Sequence, residues 1–158
     1  MSATPEPNQD RRRQPAPFDR RALLRLDPMD RINVLRAGIE SVALVAIAHA
    51  IGRSCPELID LLQLARPSPV STPRKGVRLT TAQSERVLAF LRLIERVDHM
   101  VTIGSDDSAF DAARWLGDWL ARPCPALGGQ RPAALTDTLE GYRVLDQLLS
   151  QMLSGAYA

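Results

Sequence analysis

Apolar residues between positions 29 and 64 recur at intervals of three or four, the spacing that places side chains on one face of an α-helix. Gly38 and Gly52 interrupt this pattern. After the second glycine, Ser54 is suited to cap a helix and Pro56 to occupy its first turn. The pattern therefore predicts two or three short helices packed as one small unit.

A longer helical pattern begins after residue 79. Thr80 and Gln83 have the spacing of a capping box, and the helix that they open is predicted to end at Gly104. We expect residues 105–107, a serine and two aspartates, to cap the next helix. That helix must stop at the prolines that follow Arg122, because proline lacks an amide hydrogen and clashes with the preceding turn.

A turn and a last helix complete the chain. Residues 127–129 predict the turn, and Pro132 is placed to begin a short helical piece. Asp137 and Glu140 are expected to cap a final helix that finishes at Gly155. Together these patterns predict an all-α fold, in which the second half forms a compact helical domain.

Composition supports the helical interpretation, because aromatic residues make up only 4% of the chain and strands favour aromatic and β-branched side chains. The only long apolar run, residues 42–51, is shorter than the roughly 20 residues that cross a bilayer. The N-terminal residues lack the apolar stretch of a signal peptide. We therefore expect a cytoplasmic protein that makes no membrane contact.

Two segments are basic and rich in proline. Residues 1–17 hold four prolines and a triple arginine, with too little apolar surface to offset the entropy of ordering, so we expect a disordered basic arm over residues 1–28. Residues 66–78 hold three prolines, four positive charges and no acid, which predicts a basic loop. Residues 1–83 carry 13 Lys/Arg against 8 Asp/Glu, whereas residues 84–158 carry 7 against 10. The two halves are therefore suited to different partners, the first to phosphate and the second to a basic protein surface.

The chain offers little catalytic chemistry. His49 and His99 have no serine or cysteine nucleophile in a recognisable arrangement. Cys55 and Cys124 lack the spacing of a zinc site or of a disulfide framework, and no glycine-rich phosphate loop occurs. We therefore expect a protein that is not an enzyme and that uses no catalytic residue, cofactor or metal.

The C-terminal half resembles the toxin-binding domain of the Xre/MbcA/ParS family of antitoxins over roughly residues 79–158. The resemblance depends on several fixed spacings that occur in order along the chain. The residues that carry it are Ser84, Arg86, Trp119, Leu120, Pro123, Leu127, Gly128, Gly129, Pro132, Leu135, Thr138, Gly141, Val144 and the ending Gly155–Ala158.

Ten residues of this motif are interpreted as structural: Ser84, Arg86, Trp119, Leu120, Pro123, Leu127, Gly128, Gly129, Pro132 and Gly141. Trp119 and Leu120 are expected to anchor the turn at residues 127–129, whose two glycines allow backbone conformations closed to other residues. Gly141 costs helix propensity relative to alanine, so its expected benefit is a close approach between helices.

The resemblance implies that the end of the chain enters the active-site cleft of a RES-domain toxin, which degrades NAD or uses it for ADP-ribosyl transfer. A tail with an aromatic ring and a carboxylate would compete for the NAD pocket. The toxin-binding residues implied in this way are Met152, Ser154, Gly155, Ala156, Tyr157 and Ala158.

The resemblance also implies an Xre-like helix-turn-helix over residues 29–78, ahead of the toxin-binding domain at 79–158, in a homodimer that binds operator DNA and represses its own operon. From the residues alone, positions 39–76 fit either such a motif or a plain helical hairpin. Residues 67–73, where the recognition helix should lie, contain three prolines, which break a helix. Contact with phosphate is therefore expected instead, from Arg66, Arg74, Lys75 and Arg78. The alternative function is a stand-alone helix-turn-helix regulator that dimerises through its C-terminal domain.

Overall fold

A computed structural model describes residues 18–64, 73–104, 109–153 and 155 of the chain. Within these ranges the regular structure is helical, and the only β-type pairing is an isolated antiparallel bridge between Glu40 and Arg78. The prediction of an all-α fold is confirmed. None of the helices in these ranges is both long and apolar enough to span a membrane. The α-helices are α1 (Arg20–Arg25), α2 (Pro28–Ala37), α3 (Ala43–Ala50), α4 (Cys55–Leu61), α5 (Thr81–Gly104), α6 (Ala112–Ala121) and α7 (Leu139–Leu153), and two 3-10 helices are η1 (Pro125–Leu127) and η2 (Pro132–Leu135).

The first two helices begin at aspartate caps. The Asp19 carboxylate accepts hydrogen bonds from the first amides of α1, at 2.9 and 3.1 Å, and Asp27 does the same for α2 at the same two distances. Leu23 of α1 is buried in the core. The prediction of a disordered arm as far as residue 28 is therefore wrong for residues 18–28, because capped helices and a buried leucine hold them in place. Residues 1–17 lie outside the described ranges.

Three short helices, α2 to α4, occupy residues 28–61, as the apolar spacing predicts. The start of α4 is a complete capping box, in which the Glu57 carboxylate accepts from the Ser54 amide at 2.8 Å and the Ser54 hydroxyl accepts from the Glu57 amide at 3.4 Å. The hydrogen bonds from Ser54 lower the pKa of the Glu57 carboxyl. Both the predicted cap and Pro56 in the first turn are confirmed.

The long helix α5 organises the core. Thr80 and Gln83 form the predicted reciprocal cap at its start, with distances of 3.0 and 3.2 Å. Helices α1, α2, α6 and α7 all pack against α5. The buried apolar residues form one continuous core to which α3–α7 each contribute a fully buried side chain, so the predicted boundary between residues 78 and 79 does not separate two cores. Examples, one from each of these helices, are Leu44, Leu58, Phe90, Leu116 and Leu145.

Two predicted helix caps are wrong. Helix α6 begins at Ala112, where the Asp111 carboxylate accepts from the Arg114 amide at 3.0 Å, so residues 105–107 do not cap it; residues 105–108 lie outside the described ranges. Helix α7 is capped by the Thr138 hydroxyl, which accepts from the Gly141 amide at 3.0 Å, and not by Asp137. In each case the capping residue is the one whose side-chain oxygen accepts from a backbone amide in the first turn of the helix. A neighbouring aspartate also fits the residue preference for a helix cap, so the sequence alone does not distinguish the two.

Candidate interaction surfaces

The turn between η1 and η2 depends on its two glycines. Gly128 has φ 65° and Gly129 has φ 84°, which lie in the left-handed region that other residues avoid. Cys124 closes the turn, since its amide donates to the Gln130 carbonyl at 2.9 Å and its carbonyl accepts from the Gly129 amide at 3.0 Å. A β-carbon at either glycine would meet no atom within 4 Å, so backbone conformation, and not crowding, requires glycine here.

Gly141 is required by a close approach, as predicted. A β-carbon on this residue would lie 1.8 Å from the carbonyl oxygen of Leu135. The close neighbour is therefore the short helix η2 and not another α-helix. Pro132, which is buried, begins η2 as predicted.

The opening pair of the motif connects α5 to the preceding helices. The Ser84 hydroxyl is fully buried and accepts from the Ile39 amide at 2.9 Å. The Arg86 guanidinium donates to the Gln63 carbonyl at 2.8 Å. Both residues therefore satisfy backbone groups of the first half of the chain, which is a structural role.

Two side-chain hydrogen bonds connect the end of α4 to η2, and the sequence does not predict them. The Gln63 side-chain amide donates to the Ala133 carbonyl at 2.8 Å, and Gln63 itself adopts φ 47°, the one positive φ of a non-glycine residue among those described. The Thr136 hydroxyl, fully buried, donates to the Leu61 carbonyl at 2.8 Å. These bonds join residues 70 and 75 positions apart, so no local spacing signals them.

Four further members of the motif lie around the end of α6. Leu120 is fully buried, and the Trp119 ring stacks on Trp115 with centroids 6.2 Å apart. Pro123 is exposed just beyond the last residue of α6, and Leu127 is half-buried in η1. The predicted anchoring of the glycine turn by Trp119 and Leu120 stays a prediction, whereas the predicted end of the helix at Arg122–Pro123 is confirmed.

Tyr142 is a buried polar residue on α7. Its hydroxyl has no hydrogen-bond partner among the described residues. Burial raises the pKa of this phenol well above its usual range, and nearby Arg86 opposes the shift only in part. The ring contributes apolar packing while its hydroxyl is held unpaired and neutral.

An open groove with a volume of about 1000 Å³ runs between α5 and the first half of α7. A two-pronged ion pair crosses it, with Nε and Nη2 of Arg96 each 2.8 Å from an oxygen of Asp146. Leu139 and Val144 line the α7 wall and are 46% and 41% exposed. The groove therefore combines apolar surface with walls that are fixed to each other.

The predicted tail begins at the far end of α7. Met152 is 37% exposed, and Gly155 is exposed with φ 73°, which turns the backbone out of the helix. Leu149 is fully buried, whereas Ser150 and Gln151 are half-buried and Met152 is exposed, so among the side chains that the structure describes burial decreases towards the end of α7. The other predicted toxin-binding residues, Ser154 and Ala156–Ala158, lie outside the described ranges.

The basic residues predicted to contact DNA are not equivalent. Arg74 and Lys75 lie on one exposed turn. The Ser41 hydroxyl fixes the backbone of this turn, since it donates to the Arg74 carbonyl and accepts from the Arg74 amide, each at 3.0 Å. Arg78 instead donates to the Gly38 carbonyl at 2.7 Å and pairs with Glu40 at 3.7 Å. Arg66 and residues 67–72 of the predicted recognition segment lie outside the described ranges.

The described side chains provide no group of three or more His, Cys, Asp or Glu residues placed to hold a metal ion. His49 and His99 are both exposed. Cys55 is half-buried, which raises the pKa of its thiol, and Cys124 is buried. The features that stand out on the described surface are therefore the groove, the end of α7 and the basic turn.

Similarity to known proteins identifies the class of protein to which this chain belongs. The family model described as the antitoxin Xre/MbcA/ParS C-terminal toxin-binding domain matches residues 107–155, the segment from α6 to the end of α7. The Prs ADP-ribosylating antitoxin of Sphingobium sp. (strain YBL2) is 37% identical over 142 residues, which cover 90% of this chain and 89% of that protein. The chain therefore belongs to the Xre/MbcA/ParS family of antitoxins. Its role is that of an antitoxin with a toxin as partner, and the family is one of toxin-binding proteins and not of catalysts.

Proposed function

We propose that this antitoxin neutralises a RES-type toxin, which consumes NAD or transfers its ADP-ribose, by placing the residues after α7 in the toxin's active site. The observation that carries the proposal is the end of α7. Met152 is exposed there, and Gly155 is exposed with φ 73°, which ends the helical conformation. We infer that the residues beyond this point are the ones that enter the partner.

Two further points support this chemistry. The relative from Sphingobium carries ADP-ribosylation in its name, and ADP-ribosyl transfer uses NAD as donor. The tail contains Tyr157, whose ring has the flat amphipathic shape that a pocket for nicotinamide or adenine accepts. Competition for the NAD pocket follows from such a fit.

Deleting Gly155–Ala158 tests the proposal. The deletion leaves α7 intact, and the last buried side chain that the structure describes in this helix is Leu149, so the shortened protein should keep its helical circular dichroism and its melting temperature. It should fail to protect cells that co-express the toxin from the adjacent gene, and their NAD should fall. The control is a substitution at an exposed residue immediately before η2, Arg131→Ala, which should protect like the wild type.

A shortened protein that protects cells and preserves their NAD would refute occupation of the active site by the tail. Complex formation is followed in the same samples by co-purification. Loss of protection with the complex intact would identify the tail as the inhibitory element, separate from the surface that provides affinity.

We further propose that residues 29–78 bind operator DNA, in a homodimer, so that the antitoxin represses its own operon. The support is the exposed turn that carries Arg74 and Lys75, whose backbone Ser41 holds in place. Because Arg78 already interacts with Gly38 and Glu40, Arg74 and Lys75 should contribute more than Arg78 to the binding of DNA phosphates.

Replacing Arg74 and Lys75 with alanine should weaken binding to all DNA sequences alike. Two lost phosphate contacts should reduce the slope of log K against log salt by about 1.8, since each contact contributes about 0.9. Fluorescence anisotropy on operator and on scrambled DNA at several salt concentrations measures both quantities. A double variant that loses only its sequence preference would show that these residues read bases instead.

A further inference from the structure

We propose that the groove between α5 and α7 is the docking surface for the toxin, so that the toxin contacts the groove while the tail reaches its active site. The proposal rests on the proposed function and assigns the affinity of the complex to a place in the fold. The occupant is a toxin segment that presents an apolar side chain between charged ones.

The family's toxin-binding domain includes part of this groove. The matched segment, residues 107–155, contains all of α7 and therefore one complete wall of the groove. Two large apolar side chains on that wall, Leu139 and Val144, are 46% and 41% exposed. Exposed apolar side chains in a concave surface are typical of a protein-binding site.

The groove is already formed in the isolated chain. The bidentate pair of Arg96 and Asp146 connects α5 to α7 across it, and Leu93 and Tyr142 beneath it are buried. A preformed site loses little conformational entropy on binding, so the exposed apolar area can contribute to affinity.

Charged side chains of both signs surround the groove. Arg92 and Glu95 are exposed on the α5 side, and Glu140 pairs with Arg143 at 2.9 Å on the α7 side. Positive and negative groups are balanced, so the surface favours a partner with an apolar centre and both signs of charge around it. A polyanion such as nucleic acid has no comparable complement here.

The groove lies close to the end of α7. Gln147, at the end of the groove, and Leu153, the last residue of the helix, are six residues apart, which corresponds to about 9 Å at 1.5 Å per residue. A typical interface covers about 800 Å² per partner, a patch roughly 30 Å across. One toxin molecule can therefore contact the groove and receive the tail together.

A matched pair of valine substitutions tests the groove. Val144→Arg places a charge on the groove wall, and Val45→Arg makes the same change on α3, where the valine is 52% exposed and does not line the groove. Affinity for the toxin is measured by calorimetry, with circular dichroism and thermal melting as folding controls. Val144→Arg should weaken binding by about 30-fold or more, the loss typical of a central interface residue, and Val45→Arg should bind within about threefold of the wild type.

A second variant, Leu139→Gln, keeps the test decisive if Val144→Arg does not fold. Wild-type affinity in a folded groove variant would overturn the proposal. A change in the antitoxin's own oligomeric state, seen by light scattering while toxin affinity stays unchanged, would also overturn it, because the groove would then be covered by a second copy of this chain.

The outcome is separable from that of the proposed function. If the wild-type protein does not bind the adjacent toxin, the proposed function fails before the groove is tested. If deletion of Gly155–Ala158 abolishes inhibition while groove variants bind normally, the tail mechanism stands and only the groove is refuted. If both proposals hold, groove variants should lose toxin binding, and the tail deletion should lose inhibition of the toxin while it retains toxin binding.

Discussion

Replacing Gly141 with alanine should destabilise the fold, although alanine is the better helix former. In an exposed helix the change would gain about 1 kcal/mol of helix propensity. Here the new β-carbon would lie 1.8 Å from the Leu135 carbonyl oxygen, and contacts below 3.0 Å are essentially never seen for real β-carbons. Helix α7 and η2 must therefore separate by at least 1.2 Å, the difference between these two distances.

The cost of that separation can be estimated from its parts. Overpacking a well-packed site typically costs about 1–3 kcal/mol, and a close contact with backbone belongs at the upper end. Moving η2 also strains the hydrogen bond from Thr136 to Leu61, which contributes about 1 kcal/mol. After subtraction of the propensity gain, we expect a net loss of about 3 kcal/mol, or a fall in melting temperature of about 6–12 °C for a chain of this size.

Gly117→Ala is the matched control for this experiment. Gly117 is also inside a helix, but its added β-carbon would lie 3.0 Å from the Ile51 β-carbon and 3.3 Å from the Ile51 carbonyl oxygen, so the two segments need to separate by only a few tenths of an ångström. Urea unfolding followed by circular dichroism should rank the wild type and Gly117→Ala close together and Gly141→Ala well below both. A Gly141→Ala protein as stable as the wild type would refute the requirement for close approach.

Two further stability predictions concern buried polar groups. Ser84→Ala should lower the free energy of unfolding in urea by about 1–3 kcal/mol, because the buried Ile39 amide loses its acceptor; an unchanged midpoint would mean that water replaces it. Tyr142→Phe should be no less stable than the wild type at neutral pH, because it removes a hydroxyl without a described partner. Since the folded state raises the pKa of Tyr142, the unfolded state loses this proton first, and wild-type stability should fall above about pH 10 more steeply than that of Tyr142→Phe in thermal melts at several pH values. Equal slopes for the two proteins would contradict the buried neutral phenol.

The elements that the sequence predicts well are those whose signal is local. The caps Ser54–Glu57 and Thr80–Gln83 each lie within one helical turn, so their spacing alone identifies them. Local spacing fails where several residues satisfy the same rule, as when Thr138 caps α7 in preference to the adjacent Asp137. It also fails for α1, because a helix of six residues depends on the burial of Leu23 against distant parts of the chain.

The candidate sites also differ in whether their signal in the sequence is local. The tail residues follow from family resemblance, since their positions relative to the motif can be counted along the chain. The groove cannot be found like this, because Arg96 and Asp146 are 50 positions apart and meet only when α5 and α7 pack together. The hydrogen bond from Gln63 to Ala133 cannot be predicted from local spacing for the same reason. Among the basic residues, only the folded chain separates the exposed Arg74 from Arg78, which Glu40 and Gly38 engage.

The central claim is that the antitoxin blocks the NAD pocket of its toxin. The most direct measurement is NAD binding by calorimetry to three samples: the toxin alone, the toxin with the full-length antitoxin, and the toxin with the antitoxin lacking Gly155–Ala158. We expect NAD to bind the free toxin, to fail to bind the full-length complex, and to bind again when the tail is absent. NAD binding to the full-length complex with the affinity of the free toxin would contradict it.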